Sequence, residues 1–211
     1  MASDLDPHAR QSVLRAGAPL AAARLAVIMA HGRGAAADDM IGLAAALGVS
    51  DVAFLAPQAA GYAWYPNRFM EPIASNEPWL TSALAKIASI VEAAAAEGLG
   101  ADRIVLMGFS QGACLSLEFA ARNARRYAAV AGLSGGLIGP AGTPRDYAGS
   151  LDGTPVFLGC SDIDPHIPVE RVRESADIFR RMGAAVDERI YPRMGHTVNQ
   201  DEIDAVRALL I

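Results

Sequence analysis

Two cysteines in 211 residues, Cys114 and Cys160, are too few for a disulfide framework and stand at no zinc-ligand spacing. Basic charge is scarce as well. The 18 Lys and Arg are outnumbered by 23 Asp and Glu, and a net charge of −5 leaves no electrostatic footprint for nucleic acid. The pairs Arg125-Arg126 and Arg180-Arg181 read as solvated charges at helix ends. The long apolar stretches are broken by Arg24, Lys86 or Glu92 before they reach the length of a bilayer span, so no integral membrane contact is expected. Met1 to His8 is acidic and lacks the apolar run of a secretory signal, which makes a cytoplasmic location the expectation and His8 part of a loose tail. No repeat, charge block or low-complexity linker marks a boundary. Residues 1–20 read as an N-terminal extension and 21–211 as one domain, long enough for a sizeable core.

What the chain does have is apolar content, 52% of its residues, arranged as alternating strand-like and helix-like runs. That alternation implies an α/β fold with a mostly parallel sheet and helices on both faces. Strands are predicted at Leu25 to Ala30, Val52 to Ala56, Arg103 to Met107, Ala128 to Leu133, Pro155 to Cys160 and Ala185 to Tyr191, with an early one at Val13 to Arg15. Helices are predicted at Asp38 to Leu47, Pro78 to Glu97, from Gln111 to Ala121, Val169 to Arg181 and Asn199 to Leu210. Two segments fall outside the alternation. Residues 61–79 carry five aromatics among three prolines, and 134–154 are rich in glycine and proline. The aromatic segment suits either a satellite core cluster or the wall of a small apolar pocket.

Gly-x-Ser-x-Gly occurs twice, at Gly108 to Gly112 and at Gly132 to Gly136. Context separates them. Ser110 follows a buried-strand run and precedes a helical one, the setting in which a sharp turn lifts a nucleophilic serine above the sheet. Ser134 is followed by loop composition and reads as a turn residue. A serine hydroxyl needs a base, and the base needs an acid to hold its tautomer. His196 lies in the loop between the last strand and the last helix, and Asp162 and Asp164 follow the Pro155 to Cys160 strand. All three belong at carboxyl ends of strands, where such sheets collect their chemistry.

A developing oxyanion needs two preorganised N–H donors. The N–H of Gln111, at a helix start, is one candidate; the N–H of Arg33, between Gly32 and Gly34 after an early strand, is the other. The Arg33 side chain is left to pair with a substrate carboxylate or to point to solvent. Gly32-x-Gly34-x-x-Ala37 also imitates a dinucleotide fingerprint, but Leu55-Ala56-Pro57-Gln58 supplies no acid for a ribose, and no cofactor is expected.

Together His31-Gly32-Arg33-Gly34, Gly108 to Ala113, Leu133-Ser134-Gly135, Asp164-Pro165-x-x-Pro168 and Gly195-His196 resemble the phospholipase/carboxylesterase family of α/β-hydrolases, which includes the acyl-protein thioesterases. The resemblance implies an α/β-hydrolase fold without a large lid domain. It implies Ser110 as nucleophile, His196 as base and Asp164, rather than Asp162, as acid, with Arg33 and Gln111 as oxyanion donors. It places Trp64 and Tyr65 near the substrate pocket and makes a homodimer plausible. The expected activity is hydrolysis of small to medium carboxylic esters through an acyl-enzyme. Thioesterase or lysophospholipase action on long acyl chains is the alternative, for which the segment after Ser134 gives no clear channel.

Overall fold

In the computed structural model, which describes residues 6–211, the chain forms a seven-stranded sheet. Its strands are β1 (Val13–Gly17), β2 (Leu25–Ala30), β3 (Val52–Pro57), β4 (Ile104–Phe109), β5 (Ala129–Leu133), β6 (Pro155–Ser161) and β7 (Ala185–Tyr191). They lie in the order β1-β3-β2-β4-β5-β6-β7. Only β1 runs antiparallel to its neighbour. The five inner strands are apolar and almost wholly buried because helices cover both faces, the usual condition of a parallel sheet. Edge strand β7 instead carries the charged run Asp187-Glu188-Arg189 and is only partly covered.

Helices α1 (Ala37–Leu47), α2 (Trp79–Ala96), α3 (Gln111–Arg122), α4 (Val169–Arg181) and α5 (Gln200–Leu209) divide between the faces. Val27 and Met29 of β2, Val105 and Met107 of β4 pack with Met40, Leu47 and Val206 of α1 and α5. Ile28 and Leu106, pointing the other way by the two-residue period of a strand, pack with Ile87, Leu115 and Phe179 of α2, α3 and α4. By length and composition α2 could cross a bilayer, but here its Leu80, Ala83, Ile87 and Ile90 are buried in the core.

Predicted elements recur with ends shifted by a residue or two. The clearest difference is the N-terminal segment. β1 reaches Gly17 and joins the sheet, and His8, expected in a loose tail, is fully buried. Its backbone N–H donates to Ser82 Oγ at 2.9 Å, and its ring bonds Ala60 and Trp64. The long segment 134–154 contains no helix or strand.

The chain passes from β2 to β3 on one side, then returns to β4 on the other. That reversal opens a crevice at the carboxyl ends of β2 and β4, the place where ligands bind in open α/β sheets.

Candidate active site

Ser110 stands in that crevice between β4 and α3 with φ of 54° and ψ of −118°, a strained setting for a residue with a side chain. The glycines on either side make the turn possible. A Cβ on Gly108 would lie 2.3 Å from the Gly112 backbone, and one on Gly112 would lie 2.0 Å from the carbonyl oxygen of Ala30. Both positions therefore require glycine, and the α3 helix can start directly above β2. Ser134 also has positive φ, at 51°, but its hydroxyl is buried and no helix follows it. It is the turn residue expected.

Three residues distant in sequence meet here. The Ser110 hydroxyl donates to His196 Nε2 at 2.8 Å, and His196 Nδ1–H donates to Asp164 Oδ2 at 2.7 Å. The Asp164 side chain is wholly buried, which by itself raises its pKa. The bonds from His196 and from the N–H groups of His166 and Ile167 outweigh that and hold it below the usual carboxylate range. Asp162 does different work: its Oδ1 accepts the N–H of Arg193 at 2.7 Å, while Ser161 Oγ donates to Met194 O at 2.5 Å. Ser161 and Asp162 so anchor the loop that carries His196. Sequence reasoning missed Ser161, since nothing local marks a serine that bonds a carbonyl 33 residues away.

The N–H of Gln111 opens α3, where the helix dipole favours negative charge. Arg33 lies in the loop after β2, and its N–H engages no acceptor among the described residues, whereas Gly34 N–H is taken by Tyr62 O at 2.8 Å. His31, also unassigned from sequence, controls this loop. Its Nδ1 lies 2.7 Å from Gly32 O, and its Nε2 lies 3.0 Å from Ala59 N. A carbonyl only accepts and an amide only donates, so the ring is neutral with its proton on Nδ1. Burial lowers its pKa and favours that state. Gly32 C=O and Arg33 N–H belong to one peptide unit, so the bond from His31 orients the very amide expected to bind an oxyanion.

The two aromatics separate. Tyr65 lines the cavity beside Ser110. Trp64 does not; its ring packs between His8 and His31, at centroid distances of 5.4 and 5.1 Å, and its Nε1–H donates to His31 O at 2.8 Å. It belongs to the core, because an indole with one N–H can be buried once that donor is satisfied. The Gln111 side chain secures the pair, accepting from Trp64 N at 2.9 Å and donating to Tyr65 O at 2.8 Å.

The cavity has a volume of about 230 Å³ and is lined by Ser110, His196, Gln111, Tyr65, Phe69 and Ile167, with Arg33, Arg68, Cys114 and His166 completing it. The Cys114 thiol is pushed up to about 12 by burial and is no thiolate at neutral pH. Cys160 is pushed up to about 12 by burial and by the nearby Asp164 carboxylate, 3.8 Å from its Sγ. Among the described residues no cluster of His, Cys, Asp and Glu could hold a metal ion.

The chain is similar to known proteins in sequence and in structure. The Phospholipase/Carboxylesterase profile matches residues 16–210. A phospholipase/carboxylesterase from Dyadobacter fermentans, of known structure, is 43% identical with a TM-score of 0.92, over 95% of this chain and 97% of that one. Esterase PE8 is 25% identical with a TM-score of 0.78 over the same shares. In sequence, "Acyl-protein thioesterase 1" of Gibberella zeae is 35% identical over 116 residues, 54% of this chain and 49% of its own length. The chain thus spans about half the length of the curated relatives it matches, the Neurospora crassa protein of the same name included, at 30% identity and 47% of its length. With a family match that extends from β1 to the end of α5, the chain belongs to the phospholipase/carboxylesterase family, whose members are α/β-hydrolases acting on esters.

Proposed function

We propose that this protein is a serine carboxylesterase that hydrolyses small to medium esters through an acyl-enzyme. The observation that carries this reading is the continuous relay Ser110–His196–Asp164, at 2.8 and 2.7 Å, on a strained turn beside a cavity. Ser110 Oγ attacks the ester carbonyl as His196 Nε2 takes its proton, and the imidazolium that forms is stabilised by Asp164. The N–H groups of Arg33 and Gln111 receive the oxyanion. His196 then protonates the leaving alcohol. A water molecule, deprotonated by the same imidazole, attacks the acyl-enzyme and releases the acid.

Cavity size favours small substrates, since about 230 Å³ lies below the range of roughly 300–1,000 Å³ usual for drug-sized ligands. The second reading, a thioesterase or lysophospholipase for long acyl chains, draws on the thioesterase relatives. A series of aryl esters from acetate to palmitate separates the two: falling kcat/KM beyond medium chain length supports the first, a rise toward palmitate the second. The hydrolase reading itself is tested by Ser110→Ala. Its kcat should drop by on the order of 10⁴-fold or more with native circular dichroism, and a fluorophosphonate should label Ser110 in the wild type. Retained activity in the variant, or no labelling of Ser110, would overturn it.

A further inference from the structure

We propose that the substrate of this site carries a carboxylate a few bonds from the scissile ester, received by Arg68 and Arg33; this rests on the ester-hydrolase reading above. Both arginines line the cavity that holds Ser110 and His196, and no aspartate or glutamate shares that lining. Some arginines elsewhere, Arg24, Arg171 and Arg189 among them, are neutralised by carboxylates, and others such as Arg125 and Arg193 form no ion pair among the described residues. What sets Arg33 and Arg68 apart is that both line the cavity of Ser110. Neither Arg33 nor Arg68 forms an ion pair among the described residues. Two unneutralised guanidinium groups facing one small cavity form a local positive field in a protein of net charge −5.

The two are mounted differently. The Arg33 guanidinium is held by three backbone carbonyls, of Pro66, Tyr65 and Asn67, at 2.9, 2.8 and 2.6 Å. Carbonyls fix its position without cancelling its charge. It is a preset cation with two of its five N–H groups still free of the loop. Arg68 follows on the same loop, and its side chain has no hydrogen-bond partner among the described residues, so its whole planar fork is available to a carboxylate. Its backbone is nevertheless fixed. Arg68 O accepts from Asn76 Nδ2 and from Glu71 N, and the neighbouring Asn67 bonds buried Asn76 and Ser75. The carbonyl oxygen of Phe69, next in sequence, accepts from Gly139 N–H at 2.7 Å. The loop therefore presents Arg68 from a set position at the cavity.

Two pairs of probes carry the test. Monoethyl succinate and ethyl 4-methylpentanoate differ by a carboxylate against an isopropyl group on the acyl side. 4-Acetoxybenzoate and 4-isopropylphenyl acetate do the same on the alcohol side, each rate being divided by that of base hydrolysis. In the wild type at low ionic strength, kcat/KM should favour the charged member of one pair by about tenfold or more, and salt should erode that ratio. The pair that responds tells which side of the ester the arginines read. Arg68→Ala should bring the ratio down toward one, whereas Arg68→Lys should keep much of it. A purely structural role for Arg68 would lower both members together and leave the ratio alone. Ratios near one in both pairs, with Ser110 still labelled and neutral esters still hydrolysed, would overturn the carboxylate proposal and leave the esterase intact. Absence of both turnover and labelling would remove the esterase reading and this proposal with it.

Discussion

His31 shows how much of the site depends on a residue that touches no reacting atom. Its ring bridges Gly32 O and Ala59 N, and the first of these bonds polarises the peptide that carries the Arg33 N–H. Replacing it with phenylalanine keeps the ring but leaves the buried Ala59 amide without a partner, a cost of about 1–3 kcal/mol, and leaves Gly32 O with only its bond from Ala35 N–H at 3.2 Å. The amide of Arg33 would lose its orientation as well. His31→Phe is expected to lower kcat about 10- to 100-fold with a smaller change in KM, the mark of a donor that acts on the transition state. Affinity for phenylboronic acid, which presents a tetrahedral oxygen to the same donors, should fall in parallel. A variant that lost stability but kept kcat and boronate affinity would reduce His31 to a core residue. Ser110, His196 and an acid at Asp162 or Asp164 were legible in sequence because each follows a strand, and carboxyl ends of parallel strands converge; the choice of Asp164 came from the family resemblance. His31 sits equally at a strand end, but its task is visible only when Ala59, 28 residues away, is brought against it.

At the level of elements, the β4–α3 turn and the 61–79 loop form one assembly. The turn demands glycine at 112, because α3 begins within contact of the last carbonyls of β2; a Cβ there would also lie 2.5 Å from His31 O. Gly112→Ala must push α3 away from β2, and with it the Gln111 N–H and the side chain that ties down Trp64 and Tyr65. Destabilisation by more than about 3 kcal/mol is expected, since backbone atoms cannot yield as a side chain would. Gly34→Ala serves as the control: φ is +79° there but no atom lies within 4 Å of the new Cβ, so the cost should be about 1–2 kcal/mol. Urea unfolding of both variants measures the difference, and equal losses would mean that the close approach of α3 and β2 relaxes easily. The requirement for glycine was readable from the motif and its strand-to-helix context. The division of the aromatic loop was not. Trp64 and Tyr65 are adjacent and both wholly buried in the core, yet only Tyr65 also lines the cavity. What decides it is His8, from a segment whose polar composition gave no sign that it packs at all. His8 takes the N–H of Ala60 on Nδ1 and donates Nε2–H to Trp64 O at 2.9 Å, so the N-terminal segment holds the loop in place.

Across the whole molecule, three buried titratable groups set opposing responses to pH. His8 and His31 have pKa values lowered from 6.5, chiefly by burial. Below pH 6.5 the unfolded chain takes up protons that the folded one refuses, so their contribution is complete above that pH and is lost as pH falls through their folded values. Glu202 acts in the opposite sense. It is fully buried in α5 against Gly159, with Oε1 unpartnered, and burial with the nearby Asp201 raises its pKa from 4.5 to about 7 despite the Asn199 N–H bond. Between pH 4.5 and 7 the folded protein holds a proton that the unfolded chain has released, and stability declines as pH rises through that window. The two trends should partly cancel between pH 4.5 and 6.5, giving a broad plateau of stability with losses on either side. Glutamine at 202 can still close the capping box with Asn199, since its side-chain carbonyl accepts the same N–H. It cannot ionise. Glu202→Gln should therefore match the wild type near pH 5 and exceed it by about 1–2 kcal/mol at pH 8 after allowance for partial solvent screening. Urea titrations at the two pH values read the gap directly. A gap that is the same at both would mean that Glu202 ionises normally in the fold, and that the alkaline limb of stability has another source.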